Sequence, residues 1–161
     1  TRVTNYALLF EYWLAIAERP RAVDFFVSNP PGFFHPSTAR LFALTTYAGE
    51  ALRHGYLSVP RYDIYILERD EQSWRQRAEV MGAVRGAGNI RLLIGDPDVP
   101  RTARLEQRAQ RLMDAPGALP VVPDSQLVLD LYREGGPAVE AADRIVQMRG
   151  WTQRTRTRKR K

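Results

Sequence analysis

Within LTTYAGEALRHGYLSVPRYDIYIL, two positions have the spacing of a metal-binding acid pair. Residues i and i+2 of a strand point to one face, so two carboxylates placed that way can hold a divalent ion against a triphosphate. The pair in this chain is Asp63 with Tyr65, and a phenol does not replace a metal-binding carboxylate. The turn that opens the preceding helix, where glycines would let the backbone approach phosphate, reads Thr45-Thr46. These residues therefore predict neither a catalytic residue nor a metal ligand.

Other candidate chemistry reduces to local structure. Asp96 and Asp98 could add a further acidic element after the strand Ile90 to Ile94, but GDPD is good turn chemistry and reads as a solvated turn. His54 precedes Gly55 at the end of a helix, where an imidazolium is favourable beside the dipole, and has no nucleophile nearby. His35 lies in a loop bounded by prolines. VRGAGN precedes a strand instead of opening a helix, so its amides would not converge on an anion, and it reads as a tight turn. The chain contains no cysteine, which excludes disulfides and thiolate metal sites and permits a reducing cytoplasm. No cofactor is expected.

Charge is more informative once it is located. The net charge is +6, and the end of the chain, WTQRTRTRKRK, holds Arg154, Arg156, Arg158, Lys159, Arg160 and Lys161 with no acid. Those are six of the 24 basic residues, leaving the body balanced at 18 against 18. Alternating arginine and threonine presents cations and small hydroxyl donors suited to phosphate oxygens, so this arm is the candidate nucleic-acid contact, acting by counterion release. Arg85, Arg91 and Arg101 extend the basic surface without a spacing that places them on one face.

The elements that must position these groups follow from periodicity. Asn5–Glu18 reads as a very apolar helix stopped by Pro20, Ala22–Ser28 as a strand, and Asn29–Gly32 as a turn before a loop over Phe33–Pro36. Ser37–Leu41 reads as one helical turn. Phe42–Leu44 leads into a helix over Tyr47–His54 capped by Thr45 or Thr46. RYDIYILE is a strand with Ile64 and Ile66 on one face and Tyr65 and Leu67 on the other. Asp70 caps a helix through Trp74, Ala78 and Met81, and Ala83–Gly88 leads into the strand NIRLLIGD. Pro97 and Pro100 read as breaks before a helix over ARLEQRAQRLMD, with Leu105, Ala109 and Leu112 as its apolar stripe. Last comes a helical hairpin. The apolar run Leu119–Val122 meets Pro123, and Asp124 or Ser125 caps a helix carrying Leu127, Val128, Leu131 and Tyr132. Gly135-Gly136 breaks it, and Pro137 opens a second helix with Val139, Ala142, Ile145 and Val146 inward.

The fold class is therefore α/β (α+β), a mixed sheet of about four strands flanked by helices and ending in a helical hairpin. Residues 1–151 form a single domain and 152–161 a basic tail. No apolar run reaches the ~20 residues of a membrane span. The chain opens at Thr1 and not at Met, as a piece of a longer protein would.

VVPDSQLVLDLYREGGPAVEAADRIV resembles the C-terminal end of the AbiEi antitoxins of abortive-infection type IV toxin–antitoxin systems. The shared pattern is an extended entry, a proline and small polar residue, QL-x-x-DL, a glycine-rich break and a last helix. FALTTYAGEALRHGYLSVPRYDIYIL and GAVRGAGNIRLLIGDPDV resemble that family's strand–helix–strand and G-A-N-hydrophobic-L-L pieces, in the same order. The likeness covers 41–148 and extends more loosely from Asn5. The segment around Thr45 and Asp63 also resembles the opening of a nucleotidyltransferase fold whose acid pair is lost.

The resemblance implies a winged-helix DNA-binding domain ahead of this region, negative autoregulation of transcription and neutralisation of a nucleotidyltransferase toxin. The segment before Leu41 has no helix-turn-helix spacing. The expected function is a cytoplasmic, non-catalytic, antitoxin-like transcriptional regulator that binds nucleic acid, DNA in preference to RNA, and a toxin partner, away from any membrane. The alternatives are an accessory subunit of a nucleoprotein assembly and an active Mg²⁺-dependent nucleotidyltransferase.

Overall fold

The computed structural model describes residues 6–34, 41–111 and 119–151. In chain order these form α1 (Tyr6–Ile16), β1 (Arg21–Phe26), α2 (Pro30–Phe33), β2 (Phe42–Thr45), α3 (Thr46–Arg53), β3 (Tyr62–Ile66), α4 (Glu71–Val80), β4 (Val84–Arg85), β5 (Ile90–Ile94), α5 (Asp98–Arg111), α6 (Asp124–Glu134) and α7 (Pro137–Met148). Among the described residues one sheet forms, with the order β2-β3-β5-β1-β4. Only β3 and β5 are parallel, joined by a crossover through α4; β2–β3, β5–β1 and β1–β4 are antiparallel. Among the described residues no helix is long and apolar enough to cross a membrane.

Strand alternation divides the core between two faces of this sheet. Phe25, Phe42, Leu44, Ile64, Ile66, Ile90, Leu92 and Ile94 face one way and pack under Trp74 and Ala78 of α4, with Phe33 and Phe34. Ala43, Tyr65 and Leu93 face the other way, under Ala103 of α5, Leu127, Val128 and Leu131 of α6, and Ala138, Ala142 and Ile145 of α7. The α/β class, the mixed sheet with helices on both sides and the closing hairpin are thus present.

Several local expectations need correction. The sheet has five strands because Val84 and Arg85, inside the glycine-rich turn, pair with Phe26 and Phe25. This turn runs tightly against β1: a Cβ on Gly88 would lie 1.9 Å from the Phe25 carbonyl oxygen, and Asn89 clamps the backbone of Val27 through both its N–H and its carbonyl. Phe33 closes a helical turn, and Ser37–Arg40 and His35 lie outside the described residues. α5 opens at Asp98, so Pro97 marks the turn before it as expected, while Pro100 is no break but falls in the first turn, where its missing N–H has no intrahelical partner. Leu105 is 64% exposed, and Ala103 and Gln107 face inward instead; Leu112 lies outside the described residues. Neither Thr45 nor Asp70 makes a side-chain cap. Asp124 is the first residue of α6, behind Pro123 at the cap position, and its carboxylate is engaged elsewhere. Val139 is half-buried, with Ala138 and Ala141 taking the inward positions.

The apolar run before α6 closes the sheet's β2 edge. Leu44 N donates to Pro120 O at 2.8 Å and Val122 N to Leu44 O at 3.0 Å. Gly135 and Gly136, at φ of 79° and 54°, adopt the left-handed geometry that turns α6 back into α7.

Candidate functional site

On the face covered by α6, the end of the sheet carries a row of polar residues in register: Thr45 on β2, Asp63 on β3, Arg91 on β5 and Asp24 on β1. Period-two alternation makes this arrangement, since each residue sits one place from an inward apolar residue of its own strand. A cavity of about 220 Å³ lies above the row, bounded by Arg19, Thr46, Tyr65, Asp130, Arg133 and Glu134.

Asp63 is 1% exposed and both of its oxygens are engaged. Arg61, two residues before it on the same side, donates Nε to Oδ1 at 2.5 Å and Nη2 to Oδ2 at 2.9 Å. Thr46 Oγ1 donates to Oδ2 at 2.5 Å. Arg61 also reaches Glu134 at the end of α6, at 3.0 Å, and its hydrogen bond to Asp63 raises its affinity for the proton despite burial. Thr46 occupies the left-handed region at φ 46°, uncommon for a β-branched residue, at the start of α3. The Thr45-Thr46 turn therefore takes a backbone shape that glycine would adopt freely, and uses the hydroxyl to hold Asp63. Next along the row, Arg91 donates to both oxygens of Asp24, at 2.7 and 3.1 Å.

Tyr65 serves a separate carboxylate. Its hydroxyl donates to Asp130 Oδ1 at 2.9 Å, while Thr45 Oγ1 donates to Oδ2 at 2.6 Å and Gln126 Nε2 to Oδ1 at 2.9 Å. Burial pushes the Asp130 carboxyl up to about 6, against the opposing pull of its three donors and of Arg133. Burial, followed by the adjacent Asp130, also raises the Tyr65 phenol.

These residues do not fit a divalent cation. The only carboxylate of the i, i+2 pair is committed to a guanidinium, the second position is a tyrosine bonded to Asp130, and the facing position on β5 is a cation. Among the described residues no group of three or more His, Asp or Glu is placed to hold a metal. Asp96 and Asp98 lie apart from the row: Asp96, in the turn before α5, accepts through Oδ1 from the N–H of Asp98 at 2.8 Å, and Asp98, the first residue of α5, pairs with Arg101.

A second polar cluster joins α3 to the hairpin. Asp124 is 4% exposed; it accepts from Arg149 Nε at 2.5 Å and meets His54 Nε2 at 3.0 Å and Arg53 Nη1 at 3.4 Å. Burial alone would raise its carboxyl, but His54 and Arg149 together hold it below the usual value. Arg53 continues the chain of contacts to Glu106 on α5 and to the Val121 carbonyl. His54 therefore acts as a bridge between elements and not merely as a helix-end residue. The neighbouring cavity of about 400 Å³ is lined by Glu50, His54, Tyr56, Arg144 and Met148 among others.

Arg61, Asp24, Asp130 and the His54–Asp124 contact are the site residues that a linear reading misses, and Arg91, expected to extend the basic surface, is paired instead with Asp24. The visible signal was a charge inside an apolar strand, as in AVDFF and IRLLI. The candidate nucleic-acid contacts Arg154, Arg156, Arg158, Lys159, Arg160 and Lys161 lie outside the described residues. Trp151, immediately before that segment, packs on Tyr6 and Phe10 with ring centroids 5.6 Å away in each case. No protein-family model, curated protein or solved structure matches the chain.

Proposed function

We propose that this chain is a non-catalytic, antitoxin-like regulator of the AbiEi kind, which binds DNA through its basic arm and pairs with a nucleotidyltransferase-type toxin. The observation that carries the reading is the commitment of Asp63. A carboxylate where nucleotide chemistry needs a metal ligand is neutralised within the fold by Arg61 and Thr46. With the body's charges balanced and six cations concentrated in residues 154–161, the arm is the natural phosphate contact. It supplies affinity and little sequence information, so operator choice belongs to another element, such as the winged helix that the resemblance implies.

The test compares the full chain with one truncated after Trp151 in gel shifts on duplex DNA, single-stranded DNA and RNA. The expected result is salt-sensitive binding with duplex preferred, largely lost on truncation. Equal affinities for the two proteins would refute the arm's role. A Mg²⁺-dependent nucleotide transfer lost in Asp63→Asn would replace this reading with an enzyme.

A further inference from the structure

We infer that one flank of α5 is a second phosphate contact for duplex DNA, acting together with the arm; the inference rests on the arm reading above. Arg101, Arg104 and Arg108 lie at spacings of three and four residues on this helix, which puts them along one side. At about 1.5 Å of rise per residue the stripe extends for about 10 Å. Ala103 and Gln107 point inward from the same helix, while Arg101 and Arg108 are exposed and Arg104 is half-buried.

These arginines combine weak internal compensation with a place along one side of a single helix. Arg101 has only the exposed Asp98, at 3.1 Å. Among the described residues Arg104 and Arg108 have no ion-pair partner, and Glu106, the other acid of α5, pairs with Arg53 at 3.3 Å. The flank is therefore a local excess of positive charge on a body that is neutral as a whole.

Its position relative to the arm supports joint action. Glu106, Arg53, Asp124 and Arg149 form an unbroken chain of ion pairs from α5 to the end of α7. Arg149 is two residues before Trp151, which is anchored on α1. The ten residues 152–161 can span at most about 36 Å, and arm and flank on one duplex raise each other's effective concentration. Duplex is favoured over single strands because neither α5 nor the chain after Trp151 contains an aromatic residue, the usual platform for unpaired bases.

The test measures affinity for a short duplex against salt concentration in the full chain, with four variants: Arg104→Ala/Arg108→Ala, Arg104→Lys/Arg108→Lys, the truncation after Trp151, and Arg69→Ala/Arg75→Ala as a control of equal charge loss elsewhere. The alanine pair on α5 is expected to flatten the slope of log affinity against log salt by about 1.8, two phosphates at about 0.9 each. The lysine pair should restore that slope and the control should keep it. If the α5 alanine pair keeps the wild-type slope while truncation lowers it, the flank makes no contact and the arm reading survives alone. If both α5 and control pairs lower it equally, the effect is net charge and the inference fails. If the wild type binds no nucleic acid, the arm reading itself fails. Tighter binding of single-stranded DNA or RNA than of duplex overturns the choice of partner.

Discussion

The cleft over β3 and the flank of α5 are both rich in arginine, yet they treat it in opposite ways. In the cleft, Arg61 and Arg91 each grip a carboxylate with two hydrogen bonds, and Arg61 and Asp63 are largely withdrawn from water. Along α5, Arg104 and Arg108 have no ion-pair partner among the described residues. Charge compensated inside the fold holds elements together: Arg61 ties β3 to the end of α6, and Arg91 ties β5 to β1. Charge left over on the outside is available to a partner. The difference teaches that the location of arginine matters less than whether its countercharge is already present.

The largest expected effect breaks the cleft side of this comparison. Arg61→Ala leaves Asp63 buried without its counterion and should lower stability by about 3 kcal/mol, by analogy with other broken buried pairs, measured by urea unfolding. Arg104→Ala should change stability by less than about 0.5 kcal/mol. Similar losses for the two would erase the distinction drawn between them.

A somewhat smaller effect concerns Asp130. Its folded value of about 6 lies above the ~3.9 of an unfolded aspartate, so between those values the native state binds more proton than the unfolded state. Stability from this group is thus full below about pH 4 and falls as pH rises to about 6, by about 2–3 kcal/mol in all. Asp130→Asn should remove that component: the difference in unfolding free energy between wild type and variant should change across this window and be flat above it. A difference independent of pH from 4 to 7 would contradict the burial argument.

A smaller effect is expected at the polar cluster that joins α3 to the hairpin. His54→Gln removes one contact to Asp124 but leaves Arg149 and Arg53 in place. A loss of about 1 kcal/mol is expected, with duplex affinity unchanged. Affinity falling along with stability would show that the anchor of the arm depends on this histidine.

Much of this organisation is visible in the linear chain because alternation and helical spacing are local properties. Ile64 and Ile66 against Tyr65, or Gly135-Gly136 between two apolar stripes, depend on no distant residue. The polar row does not share that property. Arg61 reads as the lead-in to a strand and Asp130 as an ordinary helix position; they become site residues only when the sheet register and the packing of α6 on the sheet place them beside Thr46, Thr45 and Tyr65. β4 is too short to show a period and exists through its register with Phe25 and Phe26. On α5 the apolar Leu105 suggests the wrong inward face, because packing under the sheet is satisfied by the small Ala103 with Gln107 beside it. That same displacement leaves Arg101 and Arg108 exposed and Arg104 half-buried.

The most direct test is calorimetric titration of Mg²⁺ with a nucleoside triphosphate into the full chain and into its Asp63→Asn variant. With Asp63 already held by Arg61 and Thr46, no saturable binding is expected in either. Saturable metal-dependent binding in the wild type, lost in the variant, would show that this carboxylate is free to serve a metal and would contradict the account.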